Sequence, residues 1–283
     1  MMNLDLRISD KEFILMRNLI YNTFGINLSD DKKSLIPGRL QGLMRKLEFE
    51  TFHEYYDYIT ADKTGNALIE LVNLISTNHT FFYREKDHFE YFQSIALPEM
   101  IKQIETTNVR DLRVWCAGCS TGEESYLLMM LIKEVFGNRY TGWDAGLLAT
   151  DISEKVLMIA RAGIYSEDRM ELLPPFIKHK YFKKLKSGQW EVIDEIKREI
   201  IYRRFNLMNK DFPFKKKFHV IFCRNVMIYF DQKTRDDLVN RFAEFLEDDG
   251  YLFIGHSETL GREQIHFKYI KPALYKKVKG GNV

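Results

Sequence analysis

The sequence predicts an α/β fold in which an all-helical N-terminal domain precedes a parallel sheet with crossover helices. Within the first 75 residues, apolar positions recur at helical spacing, and no strand-like alternation is present. From Leu112 onward, short apolar runs alternate with helical segments, which is typical of a parallel sheet. Three of these runs end abruptly in polar residues, as buried strands do when their carboxyl ends open into a site.

The N-terminal region carries clear helix boundaries. Ser9-Asp-Lys-Glu12 is a capping box that starts a helix, and Gly25 is a stop residue for it. A second helix is predicted around Leu40 to Leu47, with its apolar residues on one face. Two further helices are predicted near residues 55–59 and 67–75.

The second region alternates strands with helices. Strands are predicted at 112–116, 146–150, 218–223 and 251–255, and helices near 123–135, 153–162 and 233–246. The segment 267–278, with Pro272 between two extended pieces, predicts an antiparallel edge hairpin. A long insertion follows Asp151, and short alternating runs around Ser187-Gly188 predict a hairpin within it.

A candidate cofactor site lies where the first two strands end. The first strand leads into a Gly118-x-x-x-Gly122 turn and a helix, and the second ends in Asp151. This layout predicts a nucleotide-type cofactor whose ribose hydroxyls donate to the Asp151 carboxylate. The alternative is that Asp151 belongs to the N-cap of the next helix, although Ser153 can serve as that cap.

The turn itself indicates the charge of the cofactor. It departs from the dinucleotide pattern Gly-x-Gly-x-x-Gly, and Glu123 and Glu124 open the helix behind it. Two carboxylates repel a pyrophosphate but tolerate a cation, which favours S-adenosylmethionine (SAM), a sulfonium. Their simpler explanation is that acidic residues stabilise a helix N-terminus.

Five motifs carry a resemblance to a known family. They are 76–85 (Ser-Thr-Asn-His-Thr-Phe-Phe-Tyr-Arg-Glu), 120–124 (Ser-Thr-Gly-Glu-Glu), 149–152 (Ala-Thr-Asp-Ile), 222–231 (Phe-Cys-Arg-Asn-Val-Met-Ile-Tyr-Phe-Asp) and 255–258 (Gly-His-Ser-Glu). Together they resemble the CheR family of chemotaxis receptor glutamate methyltransferases, from about residue 8 to about residue 276. The resemblance implies a Rossmann-like SAM-dependent methyltransferase domain with a small antiparallel β-subdomain, and SAM-dependent esterification of receptor glutamates.

The resemblance also implies a division of the chain and a set of site residues. The expected parts are a helical domain at 1–76, a linker that contributes to the active site at 77–92, and a methyltransferase domain at 93–283 with its β-subdomain at about 178–202. Gly118, Glu124 and Asp151 lie at the cofactor site described above. The family pattern adds the cofactor-binding positions Asn78, Thr80, Arg84, Asn206, Leu207, Arg224 and Asn225.

Methylation of a glutamate carboxylate requires little proton transfer by the enzyme. A glutamate carboxyl has an unperturbed pKa of about 4.3, so it is ionised at neutral pH and needs no general base. The enzyme has to desolvate the carboxylate and orient one of its oxygens toward the methyl group. The resemblance points to Arg84 and Tyr229 as the catalytic residues. Arg84 can bind the carboxylate of the substrate or of the cofactor, and aromatic packing is the alternative role for Tyr229.

Two other functions compete with this one. Nucleic-acid amino methyltransferases usually carry Asp/Asn-Pro-Pro-aromatic after the fourth strand, where this chain has Asn225-Val-Met-Ile. A non-catalytic SAM sensor could dispense with Arg84 or Tyr229, and both residues are present. The first observation counts against a nucleic-acid methyltransferase, and the second favours an enzyme over a sensor.

The composition limits which partners, cellular location and cysteine chemistry are expected for this protein. The net charge of +2, from 42 Lys and Arg against 40 Asp and Glu, does not indicate a nucleic-acid binder. No apolar run approaches the roughly 20 residues of a membrane span, and the N-terminus lacks a signal-peptide core, so a cytoplasmic protein without direct membrane insertion is expected.

Three cysteines are typical of reduced thiols. Cys116-x-x-Cys119 has no second Cys/His pair at zinc spacing, so no metal is expected. His256 follows a strand, and packing or hydrogen bonding is favoured over catalysis for it.

Two basic stretches indicate an acidic macromolecular partner. Residues 32–46 contain five Lys and Arg and no acid, and residues 178–217 contain 13 Lys and Arg against 5 Asp and Glu. Such stretches are usually solvated faces, but these flank the predicted site. Arg39, Arg45 and Lys46 are expected to face the acidic cytoplasmic helices of chemoreceptors.

The β-subdomain bears on how a receptor is reached. Some family members tether to a C-terminal receptor pentapeptide through a loop of this subdomain. This chain is about three residues shorter at 186–189 than those relatives, which predicts a tether-independent enzyme.

Overall fold

The computed structural model describes residues 7–75, 80–107, 109–261 and 264–280. The chain divides into two compact units. The first unit comprises Met1–His79 with Tyr229–Thr234, and the second comprises Thr80–Ile228 with Arg235–Val283.

The described part of the first unit is helical. It contains α1 (Asp10–Phe24), a 3-10 turn at Asp30–Ser34, α2 (Leu35–Lys46), α3 (Phe52–Ala61) and α4 (Asn66–Ile75). The four helices that the sequence predicts are therefore confirmed. Their apolar faces form a common core, which includes Met16, Ile20, Leu40, Met44, Tyr55 and Leu71.

The boundaries of α1 follow from local hydrogen bonds. The Glu12 N–H donates to Ser9 Oγ at 3.3 Å, and the Ser9 N–H donates to the Glu12 carboxylate at 2.8 Å. Gly25 ends the helix with φ 69°, a left-handed conformation that glycine adopts without strain. The following residue, Ile26, forms an antiparallel bridge with Phe230 of the same unit.

The second unit is built around a mixed sheet. Its strands are β1 (Asp111–Ala117), β2 (Asp144–Asp151), β3 (Ile164–Tyr165), β4 (Phe182–Lys184), β5 (Trp190–Val192), β6 (Ile200–Arg204), β7 (Phe218–Cys223), β8 (Leu246–Ile254), β9 (Phe267–Lys271) and β10 (Leu274–Lys277). Its helices are α5 (Lys86–Tyr91), α6 (Leu97–Glu105), α7 (Glu123–Phe136), α8 (Glu154–Ala162), α9 (Pro175–Tyr181), α10 (Asp194–Lys197) and α11 (Gln232–Phe245), of which the first three residues belong to the first unit. A π-helical turn, Phe92–Ala96, connects α5 to α6.

Seven strands of the described chain form the large sheet, in the order β6-β2-β1-β7-β8-β10-β9. The first five are parallel, and β10 pairs antiparallel with both β8 and β9. The predicted parallel strands and the predicted edge hairpin are thus confirmed. The strand order reverses between β1 and β7, which is where ligands bind in open α/β sheets.

The edge strand β6 is an addition to the predicted sheet. Ile200 and Tyr202 are buried while their neighbours are exposed, an alternation that also suits a hairpin. The structure instead pairs this segment parallel to β2, with Asp151 opposite Arg204.

A small antiparallel sheet, in the order β3-β5-β4, forms the β-subdomain. The predicted hairpin around Ser187-Gly188 joins β4 to β5 and is confirmed. Its turn is closed by the Leu185 N–H on the Gln189 carbonyl at 2.8 Å and the Gly188 N–H on the Leu185 carbonyl at 3.0 Å. Within the described residues, none of the helices combines the length and the apolar character that crossing a bilayer requires.

Candidate active site

The carboxyl ends of the parallel strands bring most of the predicted cofactor residues to one edge of the sheet. Parallel strands share the direction in which they end, so residues that follow them meet at the same edge. These are Gly118 after β1, Asp151 at the end of β2, Asn206 and Leu207 after β6, and Arg224 and Asn225 after β7.

The turn after β1 requires its two glycines. The N–H groups of Gly118 and Cys119 both donate to the Thr150 carbonyl, at 2.8 and 2.9 Å. Gly118 has φ 88°, and a Cβ there would lie 2.4 Å from Val226 Cγ2. Gly122 has φ 97°, and its Cβ would lie 2.9 Å from Tyr165 Oη. Any other residue would therefore strain the backbone and displace a neighbour.

Asp151 links the end of β2 to this turn. Its Oδ2 accepts the Ser120 N–H at 2.9 Å, and its Oδ1 accepts the Ser153 N–H at 3.0 Å. The cap of α8 is Ser153, whose Oγ accepts the Val156 N–H at 3.5 Å, so Asp151 is not needed for capping. Asp151 is half-buried, and burial raises the pKa of its carboxyl against the opposing effect of the backbone donors.

The residues beside the turn fit a ribose-bearing cofactor. A carboxylate offers about four acceptor sites, and each oxygen of Asp151 accepts one of the two N–H bonds just described, which leaves acceptor capacity for hydroxyls. Next to it, the Oγ of Ser120 is buried and has no hydrogen-bond partner among the described residues. An orphaned hydroxyl at this position suits a polar ligand.

The two acids at the start of α7 are each paired with an arginine. Glu123 is fully buried, and its Oε1 lies 2.6 Å from Arg169 Nη1. Glu124 Oε2 lies 2.6 Å from Arg224 Nη1. The turn therefore does not present the two uncompensated carboxylates that the sequence suggests, and the preference for a cationic cofactor does not follow from these acids alone.

The same two arginines fix the segment that precedes α5. Arg169 Nη1 donates to the Thr80 carbonyl at 2.8 Å, and the Arg169 carbonyl accepts the Phe82 N–H at 3.1 Å. Arg224 donates to the Arg84 carbonyl. Phe82 is fully buried and packs edge-on against neighbouring aromatic rings. These contacts hold Thr80 and Arg84, both half-buried, to the unit that carries the strand ends.

Glu85 extends this network, although it was not among the site residues predicted from the sequence. Its Oε2 lies 3.0 Å from Arg224 Nη2, and its Oε1 accepts the Asn225 amide at 3.1 Å. Burial acts to raise the pKa of Glu85, but Arg224 and Asn225 hold that pKa below its usual value. Glu85 has φ 58°, a left-handed conformation that is unusual outside glycine and marks a constrained position.

Glu258 is a second residue that sequence reasoning did not single out. Its Oε2 accepts the N–H groups of Asn225, at 3.0 Å, and Gly255, and its Oε1 accepts the Ile228 N–H at 3.0 Å. It is 5% exposed, and burial raises the pKa of its carboxyl despite these donors. Glu258 therefore joins the loop after β7 to the loop after β8. The Gly255-His-Ser-Glu258 motif was the only signal that could have found it.

The structure describes the surroundings of some of the remaining predicted site residues and not of others. Asn206 is half-buried, and its Oδ1 accepts the Met208 N–H at 2.9 Å, which closes a turn beside Asp151. Leu207 is half-buried in the same turn. Asn78 lies outside the described residues. Tyr229 is half-buried in the first unit, and its carbonyl accepts the Asn27 N–H at 2.8 Å. The convergence of Arg84 and Tyr229 on one reacting centre stays a prediction.

The predicted receptor-binding residues lie on α2 of the first unit. Arg39, Arg45 and Lys46 are all exposed. Arg39 donates to the carbonyls of Leu74, at 3.4 Å, and Ile75 at the end of α4, so part of its role is structural. A cation at a helix C-terminus satisfies carbonyls that have no partner within the helix.

The two cysteines of the Cys-x-x-Cys pair lie in the hydrophobic core of the second unit. Cys116 and Cys119 are buried, and burial raises the pKa of both thiols. Cys116 Sγ donates to Glu124 Oε1 at 3.2 Å, which requires its proton. The Cys-x-x-Cys pair therefore carries protonated thiols that pack beneath the turn.

Comparison with known proteins identifies the family. Residues 11–76 match the all-alpha domain of CheR methyltransferases, and residues 78–275 match their SAM-binding domain. A chemotaxis protein methyltransferase of Borreliella burgdorferi is 44% identical over 275 residues, which cover 97% of each chain. A probable chemotaxis protein methyltransferase of Rhizobium etli is 38% identical, covering 88% of this chain and 92% of its own. The corresponding enzyme of Escherichia coli is 33% identical, covering 93% and 89%. The chain therefore belongs to the CheR family of SAM-dependent chemotaxis protein methyltransferases.

Proposed function

We propose that this protein transfers the methyl group of SAM to glutamate side chains of chemoreceptors and forms glutamate methyl esters. The observation that carries the proposal is the fixation of the 80–85 segment. Arg224 follows β7 at the point where the strand order reverses, and it binds the Arg84 carbonyl. This bond fixes the backbone of Arg84 within the unit that carries the cofactor turn, and the guanidinium of Arg84 would there suit an anionic methyl acceptor.

The proposed chemistry places few demands on the chain. When bound, SAM supplies an electrophilic methyl group on a sulfonium sulfur. The acceptor carboxylate is already ionised at neutral pH, so the protein needs no group to remove a proton. Arg84 would orient the carboxylate and Tyr229 would donate a hydrogen bond to it, while Asp151 and Ser120 would bind the ribose. The protonated thiols of Cys116 and Cys119 would not compete as methyl acceptors.

The proposed roles of Tyr229 and Arg84 can be separated by experiment. Tyr229→Phe removes one hydroxyl and little volume, so we expect SAM affinity to be retained while turnover falls roughly 10- to 1000-fold, the range for losing one aimed donor. Arg84→Ala should slow turnover severely and also weaken SAM, if its guanidinium binds the cofactor's carboxylate. Single-turnover methyl transfer and equilibrium SAM binding, measured on both variants, provide the comparison.

The outcomes for Tyr229 lead to distinct conclusions. Near-normal turnover in Tyr229→Phe would remove its catalytic role and leave it as a packing residue. Equal losses of binding and turnover would make it part of the cofactor pocket, with the chemistry resting on Arg84 and on proximity.

We further propose that the enzyme reaches receptors without a pentapeptide tether. The tight turn between β4 and β5, closed by backbone hydrogen bonds across Leu185–Gln189, supports this proposal because it leaves little loop to hold a peptide. Arg45 and Lys46, which are exposed on an α2 that carries no acid, would face acidic receptor helices in the cytoplasm together with Arg39. Micromolar binding of an isolated receptor-tail pentapeptide would contradict tether independence.

The salt dependence of receptor methylation tests the proposed role of the basic face. Exposed charges are screened over about 10 Å at 0.1 M salt, so methylation should weaken as salt increases. Arg45→Ala combined with Lys46→Ala should reduce that dependence, and replacement of the exposed Lys11 on α1 provides a matched control. Methylation that is indifferent to salt would remove these residues from the interface.

The decisive test is the chemistry of the product. Carboxyl methyl esters release volatile methanol on mild base treatment, whereas N-methylated nucleobases do not. The purified protein should transfer labelled methyl groups from SAM to candidate receptors, and base should release the label as methanol. Label that stays in nucleic acid would favour the nucleic-acid methyltransferase, and SAM binding without transfer to any receptor would favour a sensor.

A further inference from the structure

His88 is a buried residue whose polar atoms the fold leaves unsatisfied. Its side chain is fully buried, and neither ring nitrogen has a hydrogen-bond partner within the described part of the chain. The ring packs edge-on against Phe253 and His256. Buried polar groups in native proteins are nearly always satisfied, so an imidazole with two unsatisfied nitrogens calls for a ligand.

Two further ligand-type side chains lie around His88. Glu85 Oε2 is 3.5 Å from His88 Nδ1, and the ring centroids of His88 and His256 are 4.6 Å apart. One ligand atom from each of Glu85, His88 and His256 lies within 4.8 Å of the other two. This cluster is separate from the Cys116–Cys119 pair, and its histidines come from α5 and from the loop after β8.

We propose that Glu85, His88 and His256 form a binding site for a divalent transition metal of the zinc class. Two imidazoles and one carboxylate are a ligand set that zinc accepts, and the fourth position is open to water or to Asp87. Asp87 Oδ1 lies 3.0 Å from His256 Nε2 and brings a second negative charge to the cluster.

The side chains of the cluster can move close enough together to coordinate a metal. Ligand atoms around tetrahedral zinc are about 3.3 Å apart, so the cluster has to contract on binding. The side chains of His256 and Asp87 are 46% and 47% exposed, so both can rotate toward His88, and both are accessible to an ion from solvent. His88 and Glu85 provide the buried half of the site, with side chains 0% and 13% exposed.

The surrounding charges limit the affinity and link the metal to the cofactor edge. Arg224 is 3.0 Å from Glu85 Oε2, and its cation opposes a metal cation at that carboxylate. A moderate, micromolar affinity is therefore expected. Since Glu85 also binds the Asn225 amide, metal occupancy competes with contacts that hold the strand ends. Metal binding and SAM binding should weaken each other by the same factor.

The test uses the full chain with Zn²⁺ or Co²⁺ as the probe. Competition of Zn²⁺ against a chromophoric chelator should give one site per chain, and Co²⁺ should produce visible absorption typical of a tetrahedral site without a thiolate charge-transfer band. His256→Ala should weaken Zn²⁺ about 10-fold or more, the scale for disturbing a metal site. Because His256 is half-exposed, this variant should stay folded, and a thermal melt checks that.

A matched control is available in the first unit. His53 is exposed and lies 3.8 Å from Asp57, so it is also a histidine beside an acid, but among the described residues it belongs to no group of three ligand atoms close enough to hold a metal. His53→Ala should leave Zn²⁺ binding unchanged. Equal Zn²⁺ affinity in wild type and His256→Ala would overturn the proposal, and so would a thiolate band, which would place the metal on the cysteines. None of these readouts depends on the methyl acceptor, so a wrong proposed function would not alter them.

Discussion

Two carboxylates at the carboxyl edge of the sheet, Asp151 and Glu258, are similar in chemistry but differ in what the fold leaves them to do. Both follow or end a parallel strand, both accept backbone N–H groups, and burial raises the pKa of both. Glu258 is 5% exposed and binds the N–H groups of three residues from two loops. Asp151 is half-buried and accepts one N–H on each oxygen, from Ser120 and Ser153.

The difference separates a carboxylate that completes the fold from one that remains available to a ligand. The acceptor sites of Glu258 are used to position the loop that carries Asn225, so its contribution should appear mainly in stability. Asp151 keeps spare acceptor sites next to the orphaned Ser120 hydroxyl, so its contribution should appear mainly in cofactor affinity.

Replacing Glu258 should have the largest effect on stability. Glu258→Ala leaves three backbone N–H groups without an acceptor, of which that of Gly255 is buried, and this should lower the free energy of unfolding by about 3 kcal/mol or more. Glu258→Gln keeps the volume and one acceptor oxygen, so it should cost less. Denaturant unfolding monitored by circular dichroism measures both variants. If Glu258→Ala were as stable as wild type, the carboxylate would have no structural role and the comparison would fail.

Replacing Asp151 should affect the cofactor more than the fold. Asp151→Ala should weaken SAM and S-adenosylhomocysteine by about 1.5–3 kcal/mol, the scale of hydrogen bonds to a charged group. Its stability should change less than that of Glu258→Ala, because Asp151 is half-buried and accepts two backbone N–H groups where Glu258 accepts three. Asp151→Asn, which retains an acceptor oxygen, is the matched control and should lose less affinity. Calorimetric titration showing unchanged affinity in Asp151→Ala would remove this residue from the site.

Of the three residues compared, Ser120 should show the smallest effects on stability and on SAM affinity when it is replaced. Ser120→Ala removes an unsatisfied hydroxyl, so stability should remain within about 0.5 kcal/mol of wild type. If that hydroxyl meets the cofactor, SAM affinity should fall by about 0.5–1.5 kcal/mol, the usual net value of one hydrogen bond. The same calorimetric titration measures it. An unchanged affinity would mean that Ser120 Oγ does not contact the cofactor and that only Asp151 marks the ribose position.

The parts of the fold that the sequence predicted share one property. β1, β2, β7 and β8 are apolar runs bounded by polar turns, and α1 has local capping residues, so each is encoded by neighbouring residues. β6 was missed because its alternation of buried and exposed residues is the same in an edge strand and in a hairpin. Which partner it takes depends on β2, which is far from it in the chain.

The site divides in the same way. The sequence by itself determined the tight turn between Gly118 and Gly122 and predicted Asp151 at the strand end. A tight turn and a strand end impose local requirements on backbone conformation and residue type. Only the tertiary structure decided that Glu124 pairs with Arg224, that Arg169 holds the Thr80 carbonyl, and that Glu258 joins two loops. These partners are distant in the chain, and an ion pair or buried hydrogen bond leaves no periodic pattern in sequence. They form because folding removes water from both groups, and each then requires the other.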